Sequence, residues 1–339
     1  MSAADAGRAP GSGVLGGAVL GSDAYAAFLG AEYLASYLPA GGGSVKIAVV
    51  GDAEVADRFE QSLLEVSNEH DCLLARVSAE TTKAHLIDQV FFAVSRQVDW
   101  NQIASAIVRT AYDDIAVPAG PGELVVAEVA AGHDLDPREL YRSVRRQLEQ
   151  TLLTDTALPR ELRRGLLRLA HAHLASGDVD PTEAQVVLDW LTGEPVSLRD
   201  LRAAMIYTRI GRSNARAMLA ALGRLLLRTG RGGLVVLLDL TRLAEARRPA
   251  LAERTGTYYS KAAVLDAYEL VRQLIDATDD LAGMLVVAVV PPELVSDEQR
   301  GLPSYAALQL RVADEVRDLR RPNPFASLVR LDVRLEAVR

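Results

Sequence analysis

The chain has 339 residues, 49% of them hydrophobic and 24% charged, which excludes an intrinsically disordered polymer and suffices for one large or two smaller domains. A net charge of −8 excludes a wholly basic nucleic-acid coat, and a single cysteine, Cys72, excludes a disulfide framework or a cysteine-built zinc module. Only three of the 37 cationic residues are lysines (Lys46, Lys83 and Lys261), although phosphate-binding loops depend on lysine.

Residues 1–21 read as a flexible Gly/Ala-rich tail with no apolar core of a leader peptide. Within it, Gly11, Gly13 and Gly16 match a dinucleotide fingerprint by spacing, but no strand precedes them, so the match carries no cofactor expectation. A helix is expected over Ser22–Leu38, ended by Pro39 and Gly41–Gly43, then a buried strand over Val45–Val50 closed by Gly51. A helix over Val55–Glu69, a strand over Cys72–Val77 and a helical stretch over His85–Tyr112 follow. From Gly122 to Arg228 the pattern is helical, with Pro137, Pro159, Pro181 and Pro195 as starts or breaks. Strand character returns at Gly233–Leu238, ending on Asp239, and at Met284–Val290, which Pro291 and Pro292 close. Helices are expected over Tyr258–Asp276 and Tyr305–Leu319, and a last strand over Ser327–Leu335.

Short apolar strands separated by helices imply an α/β fold with a parallel sheet, here interrupted by a large helical insertion. The expected organisation is residues 22–118 as an N-terminal helix and the first half of a P-loop-like core. Residues 119–229 form the helical insert and the helices leading to the third strand, and residues 230–339 the second half of the core. No apolar run approaches the ~20 residues of a membrane-spanning helix, so a cytoplasmic protein without membrane partners is expected.

Nucleotide hydrolysis on such a sheet needs a glycine-rich loop with a Lys-Ser/Thr pair after the first strand. It also needs an acid at the end of a second strand followed by a catalytic acid, and a polar group at a neighbouring strand tip. Counting from Gly51, the second glycine position holds Ala56, the lysine position Asp57 and the hydroxyl position Arg58. Exchanging the lysine for a carboxylate turns attraction into repulsion, about 4 kcal/mol for unit charges ~4 Å apart at an effective dielectric of ~20. Asp52 and Glu54 add negative charge to the same loop. Asp239 has the form of a metal-binding strand end, but Leu240 stands where the catalytic acid belongs, and Pro291 occupies the sensor position. All three chemical positions lack their group.

In these strands and several flanking segments the chain resembles the ATP-binding proteins of BREX-type phage-defence systems, a branch of the AAA+-like P-loop superfamily. The matching stretches are Phe28–Tyr33 with Tyr37-Leu38-Pro39, Val45–Gly51, Asp88–Phe92 through Gln97–Trp100, and Trp190–Glu194. Further ones are Gly233–Asp239, Leu270–Asp276, and Gly301–Leu308 with Arg311, so that the resemblance spans nearly all of residues 22–335. It implies the family's P-loop NTPase-like (AAA+/ASCE-type) fold and a role in phage defence. Working members carry an intact Gly-Lys-Ser/Thr loop and an Asp-Glu pair, so this chain resembles a pseudo-ATPase paralogue partnered with an active relative.

Other readings compete. Gly51, Asp57, Arg58 and Asp239 are the candidate nucleotide-site positions; an unorthodox ATPase would use Arg58 as the cation and Asp239 as the Mg²⁺ ligand. No cofactor is expected, and ATP with Mg²⁺ is disfavoured. His171 and His173 stand two apart on a helix and face different ways, which does not suit a metal. Cys72 reads as inert core. The stretch from Val125 through Arg142 has the pattern of a helix-turn-helix, with Arg142, Arg145 and Arg146 on a reading helix suited to DNA phosphates or guanine edges. Arg160, Arg163, Arg164 and Arg168 form a second basic face, and Arg247-Arg248 and Arg320-Arg321 further pairs. Arginines also suit protein interfaces and fingers supplied to a neighbour's nucleotide site, and Arg311 joins Arg142, Arg145 and Arg146 as a candidate for interface or DNA contact. The expectation is therefore an interaction or regulatory subunit in a homo- or hetero-oligomer with an active ATPase or helicase-type defence protein. DNA contact, through the complex or the insert, is the accessory alternative.

Overall fold

Runs of β-branched and aliphatic residues with no polar alternation can be satisfied only where both strand faces are covered. β2 (Gly43–Val50) and β5 (Met284–Val290) are buried along their whole length, and β4 (Gly233–Asp239) is buried up to Asp239. With β3 (Cys72–Ser78), β6 (Leu328–Asp332) and a short β1 (Val19–Gly21) they form one six-stranded sheet in the order β1-β6-β2-β5-β4-β3, parallel throughout. The computed structural model describes residues 19–120, 122–175, 181–246, 256–313 and 323–332.

Alternate residues of each strand face opposite layers. On one face Ala48, Val50, Val235, Leu237, Leu285 and Val287 meet α1 (Ser22–Leu29) and α2 (Ala53–Glu69). The chain beyond α1 continues as a π-wound turn over Gly30–Tyr37, and Leu38 N–H donates to Tyr33 O at 2.9 Å, five residues back. α2 buries Val55, Phe59 and Leu63, spaced four apart, each contributing about 1.5–3 kcal/mol. The other face of the sheet, with Ile47, Val49, Val236, Leu238, Val286 and Ala288, packs in one cluster with α3 (Ile87–Ser95), α10 (Ala215–Arg228), α11 (Lys261–Asp276), α12 (Pro292–Ser296) and α13 (Ala306–Ala313).

Between α3 and α10 lie six helices, α4 just before the expected insert and the others within it: α4 (Trp100–Asp114), α5 (Val126–Gly132), α6 (Pro137–Leu153), α7 (Arg160–His173), α8 (Pro181–Thr192) and α9 (Leu198–Ala203). Val108 and Tyr112 of α4, Val129 of α5, Val144 and Leu148 of α6 and Leu174 after α7 make a small separate core. Ile103 of α4, Leu152 of α6, Leu162 and Leu166 of α7, Val187 and Trp190 of α8 and Leu201 of α9 instead join the main core, so these helices connect the small core to that of the sheet.

Three of the differences from expectation have local causes. Val19–Gly21, inside the expected tail, pairs with β6, a strand too short to show periodicity. The stretch His85–Tyr112 is two helices, because Asp99 caps a new one by accepting from Gln102 N–H at 2.8 Å. The helix expected from Tyr258 starts at Lys261, where Ser260 is the cap. Most of the expected tail, the Gly11–Gly16 fingerprint, Arg247-Arg248, Arg320-Arg321 and the ends of the last expected helix and strand lie outside the described residues.

Candidate functional site

Parallel α/β sheets collect ligands at the carboxyl ends of their strands, where loops and helix N-termini converge. The register brings Val49 of β2 level with Val290 of β5, and Val289 of β5 level with Asp239 of β4, which in turn faces Ser78 of β3. The tips of β2, β5 and β4 are thus neighbours along one edge. Gly51, Pro291 and Asp239, separated by up to 240 residues in sequence, meet there.

At the β2 tip the chain has no room for a phosphate loop. α2 begins at Ala53, only Gly51 and Asp52 separating it from the strand. Asp52 is the helix cap, extended at φ −156°, and its carboxylate accepts from Val55 N–H at 3.0 Å. The helix N-terminus, the usual seat of a phosphate, is therefore already occupied by the chain's own anion. Gly51 faces open space, with no atom within 4 Å of a Cβ built on it. Asp57 and Arg58 lie inside α2: counting from Gly51 as if a loop were present places the lysine and hydroxyl positions on helical residues. Asp57 is exposed, and Arg58 turns to α1, its Nε donating to Asp23 at 3.0 and 3.1 Å. Asp23 also accepts from Ser62 Oγ.

At the β4 tip, Asp239 organises the turn that follows it. Its Oδ1 accepts from Thr241 N–H at 2.9 Å and Thr241 Oγ1 at 2.6 Å, and its Oδ2 from Ser78 Oγ at 3.4 Å. Leu240, in the catalytic-acid position, is 1% exposed and its N–H donates to Val289 O at 2.8 Å. Pro291 precedes the five-residue α12 and brings no side-chain donor. Lys46 lies four residues before the end of β2, about 13 Å from the tip by strand rise. It is buried, its Nζ donating to Phe325 O at 2.6 Å and lying 5.1 Å from the Tyr33 ring centre.

The remaining expected residues are scattered. Arg311 of α13 donates from Nε to Asp276 of α11 at 2.8 Å, and Asp276 also pairs with Arg272. Glu269, one turn earlier, is held by Arg272 and accepts from Tyr305 Oη, and its pKa falls to about 2 because Arg272 first, then Tyr305 and Gln273, bond its charged form. These residues fall in the segments that carry the family resemblance, and their arrangement is a clasp between α11 and α13. Arg142, Arg145 and Arg146 lie on the solvent face of α6, with Arg145 paired to Glu149 at 2.9 Å. Burial pushes the Cys72 thiol up to about 11 and lowers His173. Among the described residues no group of three or more His, Cys, Asp or Glu could hold a metal, and no helix is long and apolar enough to cross a membrane.

Counting along a motif template missed the cap at Asp52, although its signal is in the chain: an Asp three residues before the first apolar residue of a Val55, Phe59, Leu63 stripe. It also missed Thr241 and Ser78, whose hydroxyls engage Asp239.

A family model described as BREX system ATP-binding protein BrxC/D matches residues 123–337, from the residues before α5 to beyond β6. No curated protein and no solved structure matches the chain.

Proposed function

The chain belongs to the BREX system ATP-binding protein BrxC/D family, hence to a phage-defence system, and we propose that within it the chain serves as a non-hydrolysing subunit that binds and regulates an active ATPase or helicase-type protein. On this reading the sheet is a P-loop NTPase-like framework retained for its shape. The neighbouring tips of β2, β5 and β4 support the framework, since they stand where a phosphate loop, a metal-binding acid and a sensor would act together.

The observation that carries the loss of hydrolysis is the two-residue turn capped by Asp52. A triphosphate approaching this helix end would meet the Asp52 carboxylate within its own hydrogen-bonding site and Glu54 one turn in, with no lysine to offset them. Asp239, the other site residue, is engaged by Thr241 and Ser78 in holding its turn. Arg58 is engaged by Asp23.

The test is the ATP turnover of an intact ATPase from the same defence system, measured with and without this chain, alongside co-elution of the two proteins. Co-elution and a changed turnover rate are expected, with no turnover by the chain alone. Independent elution and an unaltered rate would overturn the regulatory role.

A further inference from the structure

Beyond that reading, we propose that the outer face of α6 is a contact surface for the phosphate backbone of duplex DNA. α6 buries Leu140, Val144, Leu148 and Leu152 against α4, α5 and α7, a stripe at four-residue spacing that leaves the opposite face to solvent. On that face Arg138, Arg142 and Arg146 also repeat every four residues. All three are exposed, and among the described residues none has an ion-pair or hydrogen-bond partner for its guanidinium. The stripe runs about 12 Å along the helix, with about 6 Å between successive side-chain bases.

Several other arginines of the insert are engaged within it, and Arg160, Arg199 and Arg202, exposed and without a partner among the described residues, do not form a four-residue repeat. Arg145 pairs with Glu149, Arg164 with Glu161, Arg168 with Glu183, and Arg163 donates to Leu153 O. The unpaired stripe is different because like charges at this spacing repel along the helix. Its regular single-sign charge complements a polyanion of regular spacing. A protein partner would look for a cluster of apolar or aromatic anchors. The other exposed residues of α6 are Pro137, Glu139, Ser143, Arg145, Gln150 and, at its last position, Leu153, so a single aliphatic side chain at the far end accompanies the charges and no aromatic does.

The surface is also presented as a duplex requires. α5, the turn His133–Asp136 and α6 form a helix-turn-helix hairpin, with Asp134 in the left-handed region at φ 54° and Asp136 capping α6 through Arg138 N–H and Glu139 N–H. Residues 131–139 are exposed without interruption, so the turn and the first part of α6 stand out from the insert. The acids Asp134, Asp136 and Glu139 crowd the helix start, which centres the contact on Arg142 and Arg146, further along, and makes it a backbone contact without base reading. With a net charge of −8 on the whole chain, binding is expected to be local, of micromolar strength and strongest at low salt.

The experiment is fluorescence anisotropy of the full chain with a labelled duplex of about 25 base pairs across ~50 to ~200 mM salt, for the wild type and for Arg138→Gln/Arg142→Gln/Arg146→Gln. All three positions are on the solvent face, and circular dichroism of the variant confirms its fold. The wild type is expected to bind with an affinity falling steeply with salt. The variant should flatten the logarithmic salt slope by about 3 and weaken low-salt binding at least about tenfold, while Arg145→Gln changes the slope by less than about 1. No duplex binding by the wild type, or an unchanged slope in the triple variant, would overturn the proposal. So would tighter binding of a glutamate-rich peptide than of the duplex, which would assign the stripe to a protein.

Discussion

Asp52, Asp239 and Glu269 show how a carboxylate serves position or charge according to its neighbours. Asp52 and Asp239 each fasten the first residues after a strand, one at a helix start and the other in a hydroxyl-lined turn. Glu269 instead depends on ionisation. Its pKa lies near 2 in the folded chain against an ordinary 4.5, so its contribution is fully present above about pH 4.5 and is lost as pH falls towards 2. Asp276, lowered by Arg311 and Arg272, acts in the same direction. The thermal midpoint of the wild type should therefore fall more steeply on acidification through this window than that of Glu269→Gln. Parallel curves would show that the clasp between α11 and α13 adds nothing. The acids at the strand tips were visible in the sequence as charges. What they bond to was not: Ser78 reaches Asp239 only once β3 and β4 are paired, and Thr241 engages it through the local turn that follows β4.

At the scale of elements, the buried strands were legible because they lack polar alternation, and the parallel sheet followed from the helices between them. The split at Asp99 and the start at Ser260 are cap signals that a reading by apolar runs passes over. Close packing at the amino edge could not be read at all. Gly223 of α10 lies against the turn before β5, where an added Cβ would stand 2.5 Å from Ala282 O and 2.9 Å from the Gly283 carbonyl carbon. The turn is fixed in place by Gly283 N–H donating to Gly42 O and Gly283 O accepting from Leu234 N–H, both at 2.8 Å. Helix propensity alone would make Gly223→Ala stabilising by about 1 kcal/mol. Overpacking against fixed backbone costs about 1–3 kcal/mol and wins. Urea unfolding should accordingly show a net loss for Gly223→Ala; a gain would mean that α10 can move off the sheet freely.

For the molecule as a whole, the sheet and the insert divide the work. The sheet brings the tips of β2, β5 and β4 together, and equips them with a self-capped helix, a proline and an aspartate held by its own turn. The insert presents the unpaired arginines on α6, which with α4 and α7 contributes side chains both to the small core and to that of the sheet. The lysine shortage shows only part of this. Lys46 is used to hold the segment before β6, and only Gly51 and Asp52 separate β2 from α2. The most direct test is calorimetric titration of ATP·Mg²⁺ into the purified chain. The account predicts no binding heat up to millimolar nucleotide, for the wild type and for Asp239→Ala alike; micromolar binding that Asp239→Ala or Arg58→Ala abolishes would contradict it.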